Sequence, residues 1–403
     1  MTSSSKPITA SLKQQTRALK ELELEMEALL PLKPFLTAAS VPLDKVARSK
    51  DLWFKDGDII IWAKDEYYSS LFRVHRRILK DSRAEPFCTV VDCDYPDPET
   101  SGELFLDGVW VLRYHSRDPV ETMHVIKWMY EQPTISKRSV IPFVALKAYL
   151  ERSDEGFVPA MRRCALEYLW NMLPTSLNYH QRIPSLVEDC YSENSTLVYK
   201  PHVLISLIEL SEQHKLIAIL PLLYYYIAQW PLDWITDGVP ATSMEFEYRS
   251  CEGYRFSLPQ KEVVTILAGR EKLIRMRETH VFNFIQDFTS SGTALDVPID
   301  GCNGEKRKET GETCFQWLMR VWYYMNSYGF ITRPTALDIM NMGQWAELKK
   351  YCCEVCAKKV MEHMLTGRDE VWNTLPRLFG FYNWDDVVKK QKKVEEEFEA
   401  VIC

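Results

Sequence analysis

Cysteine is the residue type in this chain whose spacing comes nearest to a known chemistry. The stretch YCCEVCAKKVMEH holds Cys352, Cys353, Cys356 and His363. Cys353 and Cys356 have the C-x-x-C spacing of a zinc or redox pair, and His363 could add a third metal ligand. Zinc sites usually combine two short-spaced pairs, and no obvious fourth ligand follows here. Because Cys352, Cys356 and Val360 would share one helix face, we expect core packing and neither a metal ion nor a redox pair.

His75 is the second candidate for chemistry, in the stretch LFRVHRRILKDS at 71–82. A histidine at a strand end could act as a general base, which needs a nucleophile within hydrogen-bond reach. The chain has no G-x-S-x-G elbow, and no serine or cysteine near His75 has an elbow-like context. We therefore expect a structural histidine at the turn from strand to helix, hydrogen-bonded to backbone groups that the turn leaves unpaired.

Other reactive patterns have simpler interpretations. No G-x-x-x-x-G-K-[ST] phosphate loop occurs, and the carboxylate pairs at 154–155 and 385–386 are typical of caps or exposed turns. Lys306, Arg307 and Lys308 form a solvated charge run that could also serve as a nuclear address. The many aromatic residues could line a groove, but at helical spacing they usually belong to the core. We expect no catalytic residue and no cofactor, so the chain is predicted not to be an enzyme.

Composition favours a soluble intracellular protein. The 403 residues are 46% hydrophobic and 26% charged, enough for a sizeable core. A net charge of −7 argues against general nucleic-acid binding. The longest apolar run, at 216–232, is short for a membrane span and contains prolines, and the N-terminus has no apolar signal region. Eleven scattered cysteines indicate a reducing compartment, the cytoplasm or the nucleus.

The chain divides into five segments by pattern. Residues 50–135 alternate strand and helix signals: strands at 58–64, 70–75 and 109–115, helices at 76–87 and 118–133, and an acidic, turn-rich loop between. Residues 136–288 are helical, 289–313 are a linker or loop, and 314–403 are helical again. Residues 1–49 hold an amphipathic helix and a linker. The predicted fold class is α+β, a small sheet flanked by helices followed by a mainly α-helical region.

The helix predicted near the N-terminus has coiled-coil spacing. Its apolar a and d positions, interrupted once by Gln15, are Leu12, Leu19, Leu22, Met26 and Leu29. Fewer than three heptads are marginally stable alone. The segment is therefore either a short dimerisation or partner helix, or an arm packed on its own domain.

Residues 50–135 resemble the BTB (POZ) domain. The family pattern has a strand, then F-x-V-H-R/K-x-x-L, a serine before an aromatic residue, and a later helix with a tyrosine near its end. The matching residues of this chain are Asp58, Phe72, Val74, His75, Arg76, Leu79, Ser82, Phe87 and Tyr130. The helical stretches that follow resemble the C-terminal extension of basidiomycete-type fungal BTB proteins.

This resemblance implies protein binding without chemistry. BTB-like domains imply self-association, so we expect an oligomerising adaptor, a homodimer through the BTB-like domain, that binds protein partners and neither nucleic acid nor membranes. One alternative is a substrate adaptor that recruits a cullin scaffold of a ubiquitin ligase, although the hydrophobic-x-Glu element of such families has no convincing copy here. The alternative from another class is an enzyme with an unrecognised cleft in the helical half.

Overall fold

A computed structural model gives the fold of the protein. The residues it describes are 42–65, 68–81, 95–97, 103–115, 118–131, 141–156, 158–180, 201–240, 255–284, 302, 311–339 and 342–402. They form an α+β protein with one small mixed sheet and many helices, which confirms the predicted fold class at this level. Described residues up to Met123 belong to one compact unit, and those from His124 onward belong to a second. Within the described ranges, no helix is both long enough and apolar enough to cross a membrane.

The first unit is built on a five-stranded sheet. Its strands are β1 (Ala47–Trp53), β2 (Ile59–Lys64), β3 (Ser69–Val74), β4 (Leu104–Leu106) and β5 (Val109–His115), in the order β1-β3-β2-β5-β4. β2 pairs antiparallel with β3 and parallel with β5, while β1 runs parallel to β3 and β4 antiparallel to β5. The three strands predicted from the sequence are present, and β1 and β4 are additions at the two edges.

Burial of the central strand β2 stabilises the sheet. Its residues Ile59, Ile60 and Ile61 are all fully buried, as expected for a strand that is covered on both faces. Ile60 packs in a cluster with Leu71, Val111 and other apolar residues of the sheet. The continuous apolar run that marks this strand in the sequence therefore corresponds to its central position.

Short helices follow the strands. A 3-10 turn at Leu43–Lys45 precedes β1, and helix α1 (Arg76–Asp81) follows β3 directly. Helix α2 (Pro119–Glu131) follows β5, and its first turn is capped by Asp118, whose Oδ1 accepts a hydrogen bond from the backbone N–H of Val120 at 2.7 Å. The division between the two units falls within α2.

The second unit is almost entirely helical. Its helices after α2 are α3 (Phe143–Gly156), α4 (Pro159–Met172), α5 (Leu177–His180), α6 (Pro201–His214), α7 (Leu220–Ile227), α8 (Leu232–Asp237), α9 (Gln260–Met276), α10 (Cys314–Ser327), α11 (Met342–Tyr351), α12 (Glu354–Leu378) and α13 (Trp384–Ile402). A 3-10 turn spans Ile217–Ile219, a π-helical turn spans Arg277–Val281, and Val239–Pro240 pairs antiparallel with Arg255–Phe256.

Two features show how closely the helices pack. All eight residues of α7 except its first are buried, so the longest apolar run of the sequence is core helix. Gly367 of α12 lies against the π-helical turn, where an added Cβ would sit 2.1 Å from the carbonyl oxygen of His280. Only glycine allows the two backbones to approach this closely.

Helix α13 is held to the second unit by a buried ion pair. The guanidinium of Arg162, 3% exposed, donates to both carboxylate oxygens of Glu395 at 2.7 and 3.0 Å and to the carbonyl oxygen of His214 at 2.9 Å. The ring of Phe398 lies 4.6 Å from the guanidinium carbon. Charge, hydrogen bonds and an aromatic ring thus join α13 to α4 and the end of α6.

Candidate functional site

The strand-to-helix corner of the first unit is organised by Asp58. Its backbone N–H donates to the carbonyl oxygen of Val74 at 3.0 Å, and its Oδ1 accepts from the backbone N–H of Arg76 at 2.7 Å. The carboxylate therefore caps the first turn of α1, which begins at Arg76. Phe72, Val74 and Leu79 are buried on either side of this corner. Five residues of the predicted signature lie in one continuous strand–turn–helix stretch, and Asp58, just before β2, is hydrogen-bonded to it; the five are Phe72, Val74, His75, Arg76 and Leu79.

His75 lies at the turn itself. Its backbone carbonyl oxygen accepts from the N–H groups of Ile78 and Leu79 at 3.1 and 3.3 Å. Its imidazole Nε2 lies 3.4 Å from Oδ1 of Asp56, and its ring centre lies 5.1 Å from that of Phe54. The pKa of Asp56 is lowered mainly by a hydrogen bond from the backbone N–H of Asp56 to its carboxylate, and to a lesser extent by one from His75. The imidazole thus contacts a carboxylate at the corner, where backbone partners were expected from the sequence, and the structural role of His75 stays a prediction.

Half-buried apolar side chains lie around the buried cluster of the sheet. We call this set the tryptophan rim, and it consists of Trp53, Trp62, Leu104 and Leu106, all packed against the buried cluster around Ile60. Nε1 of Trp62 donates to Oγ of Ser69 at 2.6 Å, which holds the indole in place. The rim presents aromatic and aliphatic side chains from β1, β2 and β4.

Charges of both signs surround the tryptophan rim. The guanidinium carbon of Arg48 lies 4.7 Å from the ring centre of Trp53, and the ammonium of Lys64 lies 5.7 Å from the ring centre of Trp62. Arg48 also forms an ion pair with Asp107 at 3.1 Å. Two cations therefore lie over the indole rings of the rim, and the one carboxylate named beside them is paired with Arg48.

The remaining predicted residues have different outcomes. Tyr130 is half-buried in α2, beside the buried Trp128 and Met129. Ser82 and Phe87 lie outside the described residues, as do the basic run at 306–308 and all five apolar positions of the predicted N-terminal helix, Leu12, Leu19, Leu22, Met26 and Leu29. Their predicted roles stay predictions.

Comparison with known proteins finds no match to a family model, to a curated protein or to a solved structure. The BTB-like interpretation therefore rests on the residues of the corner and on the order of strands and helices.

The second unit contains a cluster of four cysteines. The Sγ atoms of Cys302, Cys314, Cys353 and Cys356 all lie within 4.8 Å of one another. Cys314 and Cys356 are buried, and Cys302 and Cys353 are half-buried. No disulfide joins any of the cysteines among the described residues. The C-x-x-C pair noted in the sequence thus meets two further thiols that come from earlier in the chain.

Two helix starts position three of these thiols. Cys314 is the first residue of α10, where Thr313 and Gln316 form a capping box. Cys353 caps α12, with its Sγ accepting from the backbone N–H of Cys356 at 3.5 Å. The sulfur of Cys314 accepts from the backbone N–H of Cys353 at 3.2 Å. Backbone donors at the start of α12 thus point at two of the four sulfurs.

The cluster favours a thiolate at one position. Burial acts to raise the pKa of Cys353, but hydrogen bonds from the backbone N–H and thiol of Cys356 and from the thiols of Cys302 and Cys314 outweigh it, so the pKa is lowered. Burial, reinforced by the interaction with Cys353, raises the pKa of Cys356. Contacts within the cluster thus shift the pKa values of Cys353 and Cys356 in opposite directions.

Sequence reasoning identified only part of this cluster. Cys356 was expected in the core and is 1% exposed, and Cys352 is 3% exposed. His363, considered as a third ligand, lies two turns into α12 with its ring centre 6.5 Å from that of Phe284 and is not among the clustered residues. The missed members are Cys302 and Cys314, and the one signal for them was a C-x11-C spacing at the end of the predicted linker.

Proposed function

We propose that the protein is a non-enzymatic adaptor whose first unit is a BTB-like interaction module that pairs with a second copy of itself. The observation that carries this proposal is the corner at which β3 turns into α1. There Phe72, Val74, His75, Arg76 and Leu79 follow the family pattern through the end of β3, the turn and α1, and Asp58, which stands at the start of β2 as in that pattern, caps the helix. Binding is the activity proposed, and no bond-making step is part of it.

The tryptophan rim supports a second copy as the partner. Interfaces are anchored by a few large apolar side chains, aromatic ones above all, within a polar surround. A two-fold dimer brings the same surface together from both chains, so that surface must complement itself. The apolar side chains of the rim meet this condition, because each can pack against the same set from a second copy across a two-fold axis, while Arg48 and Asp107 keep their ion pair within each chain.

The test is the molar mass of the full chain in solution, measured by light scattering behind size exclusion across a range of concentrations. We expect a dimer for the wild type and a monomer for Leu106→Glu, which places a charge in the rim. Leu232→Glu is the matched control, because Leu232 is 55% exposed on α8 of the second unit. We expect this control to remain a dimer.

Two further outcomes are informative. A wild-type chain that stays monomeric at every concentration would contradict self-association. A dimer that survives Leu106→Glu but is lost in Leu19→Glu would move the contact to the predicted N-terminal helix; Arg17→Glu, at the outward f position of the same heptads, is the control for that variant. Thermal unfolding of each variant shows whether the fold is retained.

A further inference from the structure

The four-cysteine cluster has the composition and size of a metal site. Zinc bound by four thiolates has Zn–S distances of about 2.3 Å, which places the sulfurs of a tetrahedron about 3.8 Å apart. The Sγ atoms of Cys302, Cys314, Cys353 and Cys356 lie within 4.8 Å of one another. Side-chain adjustments of an ångström or less would bring them to tetrahedral spacing, with no rearrangement of the helices.

We propose that Cys302, Cys314, Cys353 and Cys356 bind one Zn²⁺ as a structural site of the second unit. Four protein sulfurs fill a tetrahedral shell and leave no open position for water, which is the pattern of structural rather than catalytic zinc. Binding converts four thiols to thiolates and releases their protons to solvent. This inference is independent of the proposed self-association, since all four ligands belong to the other unit.

The surroundings stabilise the charge that such a site would carry. Zn²⁺ with four thiolates has a net charge of −2, which needs donors around the sulfurs. The backbone N–H groups of Cys353 and Cys356 donate to the sulfurs of Cys314 and Cys353. Both α10 and α12 begin at the cluster, and helix N-termini favour negative charge. Donors of this kind, hydrogen-bonded to the ligand sulfurs, are expected around a thiolate metal site.

The site would fasten three separate parts of the chain. Cys302 precedes α10, Cys314 starts α10, and the C-x-x-C pair starts α12, 39 residues beyond Cys314. A metal ion there closes two loops at once and adds its binding free energy to folding. Trp317 and Tyr351, whose ring centres lie 5.4 Å apart, pack in the same region at the first turn of α10 and the end of α11.

This proposal departs from the sequence expectation of core packing without a metal. That expectation followed from the lack of a second short-spaced pair. Cys302 and Cys314 supply the two missing ligands with a long spacing, so Cys356, expected in the core and buried there, is also a proposed ligand. Cys352, adjacent to the pair and equally buried, is not in the cluster and serves as an internal control.

The experiment measures metal in the full chain purified under reducing conditions without added chelator. We expect one zinc per chain by elemental analysis for the wild type and for Cys352→Ala. Cys302→Ser and Cys356→Ser are expected to lose zinc to a competing chelator at concentrations at least about tenfold lower, because each removes a ligand. Unfolding of the zinc-loaded wild type is expected at a higher temperature than that of the chelator-treated protein.

Cobalt gives a second measurement that does not depend on the variants folding. Reduced wild-type protein, freed of metal and titrated with Co²⁺, should show the visible absorption of tetrahedral cobalt and a sulfur-to-cobalt charge-transfer band at one equivalent. A folded, reduced wild type that contains no zinc and yields no such band would overturn the proposal. So would equal zinc retention by Cys356→Ser and Cys352→Ala, while stoichiometric iron in place of zinc would overturn the identity of the metal.

Discussion

Truncation of Glu395 should destabilise the second unit far more than truncation of its neighbour Glu396. In Glu395→Ala, the guanidinium of Arg162 loses a bidentate carboxylate while it remains 3% exposed. Removing one partner of a buried ion pair costs about 3–5 kcal/mol. Glu395 is itself 20% exposed, and Arg162 keeps its hydrogen bond to the carbonyl of His214, so we expect the lower end, about 3 kcal/mol. That corresponds to more than about a hundredfold change in the unfolding equilibrium.

Glu396→Ala is the control, since it makes the same truncation one residue further along α13. Glu396 pairs with Lys392 at 3.7 Å, but the two side chains are 65% and 77% exposed. Exposed pairs of this kind contribute about 0.5 kcal/mol or less. Helix propensity changes equally in both variants, so their difference reports the buried contacts of Glu395, which are the ion pair and a hydrogen bond from Nε2 of Gln391 at 2.6 Å.

The measurement is urea unfolding of the full chain, followed by tryptophan fluorescence and by circular dichroism. The stacked rings of Trp372 and Trp384, with centres 4.9 Å apart, lie at α12 and the start of α13 and report on this region. Combining Arg162→Met with Glu395→Leu should restore most of the lost stability, because neither charge is then left buried. If Glu395→Ala and Glu396→Ala unfold within about 0.5 kcal/mol of each other, the guanidinium is not desolvated as described.

Two further predictions concern the helix cap in the first unit and the loss of stability at acidic pH. Asp58→Ala should cost about 1 kcal/mol through loss of the cap on α1, while Asp58→Asn keeps an acceptor oxygen and most of the stability; equal losses in urea unfolding would contradict the cap. Burial, and to a lesser extent Arg368, lowers the pKa of His180 to about 4. The unfolded chain takes up this proton first as pH falls, so stability should decrease between the ordinary pKa of about 6.5 and about 4, by up to about 3 kcal/mol. His180→Phe should remove this part of the pH dependence, and an unchanged slope would show that other groups cause it.

The strands could be predicted where their side chains alternate or are uniformly apolar. β2 and β5 are rich in isoleucine, valine and aromatic residues, which is typical of buried strands. β1 has the sequence ARSKDLW, with most of its residues exposed at the sheet edge, so neither an apolar run nor an alternation marks it. β4 has three residues, too few for a period to show. Edge strands satisfy their hydrogen bonds on one side and need little apolar surface, and this is why the sequence signal is weakest there.

The cysteine cluster could not be predicted because its members are far apart in the sequence and meet only through the packing of the helices. The sequence suggested one helix through Cys352 and Cys353, but the structure ends α11 at Tyr351 and begins α12 at Glu354, with Cys353 as the cap. This break turns the C-x-x-C pair toward Cys314, 39 residues earlier in the chain. Residue spacing predicts contacts within one helix or strand. A contact between the N-termini of two distant helices depends on how the helices pack, which the spacing does not give.

The ion pair of α13 also has a consequence for the order of events during synthesis. Arg162 and Glu395 are separated by 233 residues, so at about 5–20 residues per second the ribosome needs on the order of 10–50 seconds between them. During that interval the guanidinium of Arg162 lacks the carboxylate with which it pairs in the folded chain. The native contact between Arg162 and α13 therefore forms only after Glu395 has been synthesised, however early helix α4 itself forms.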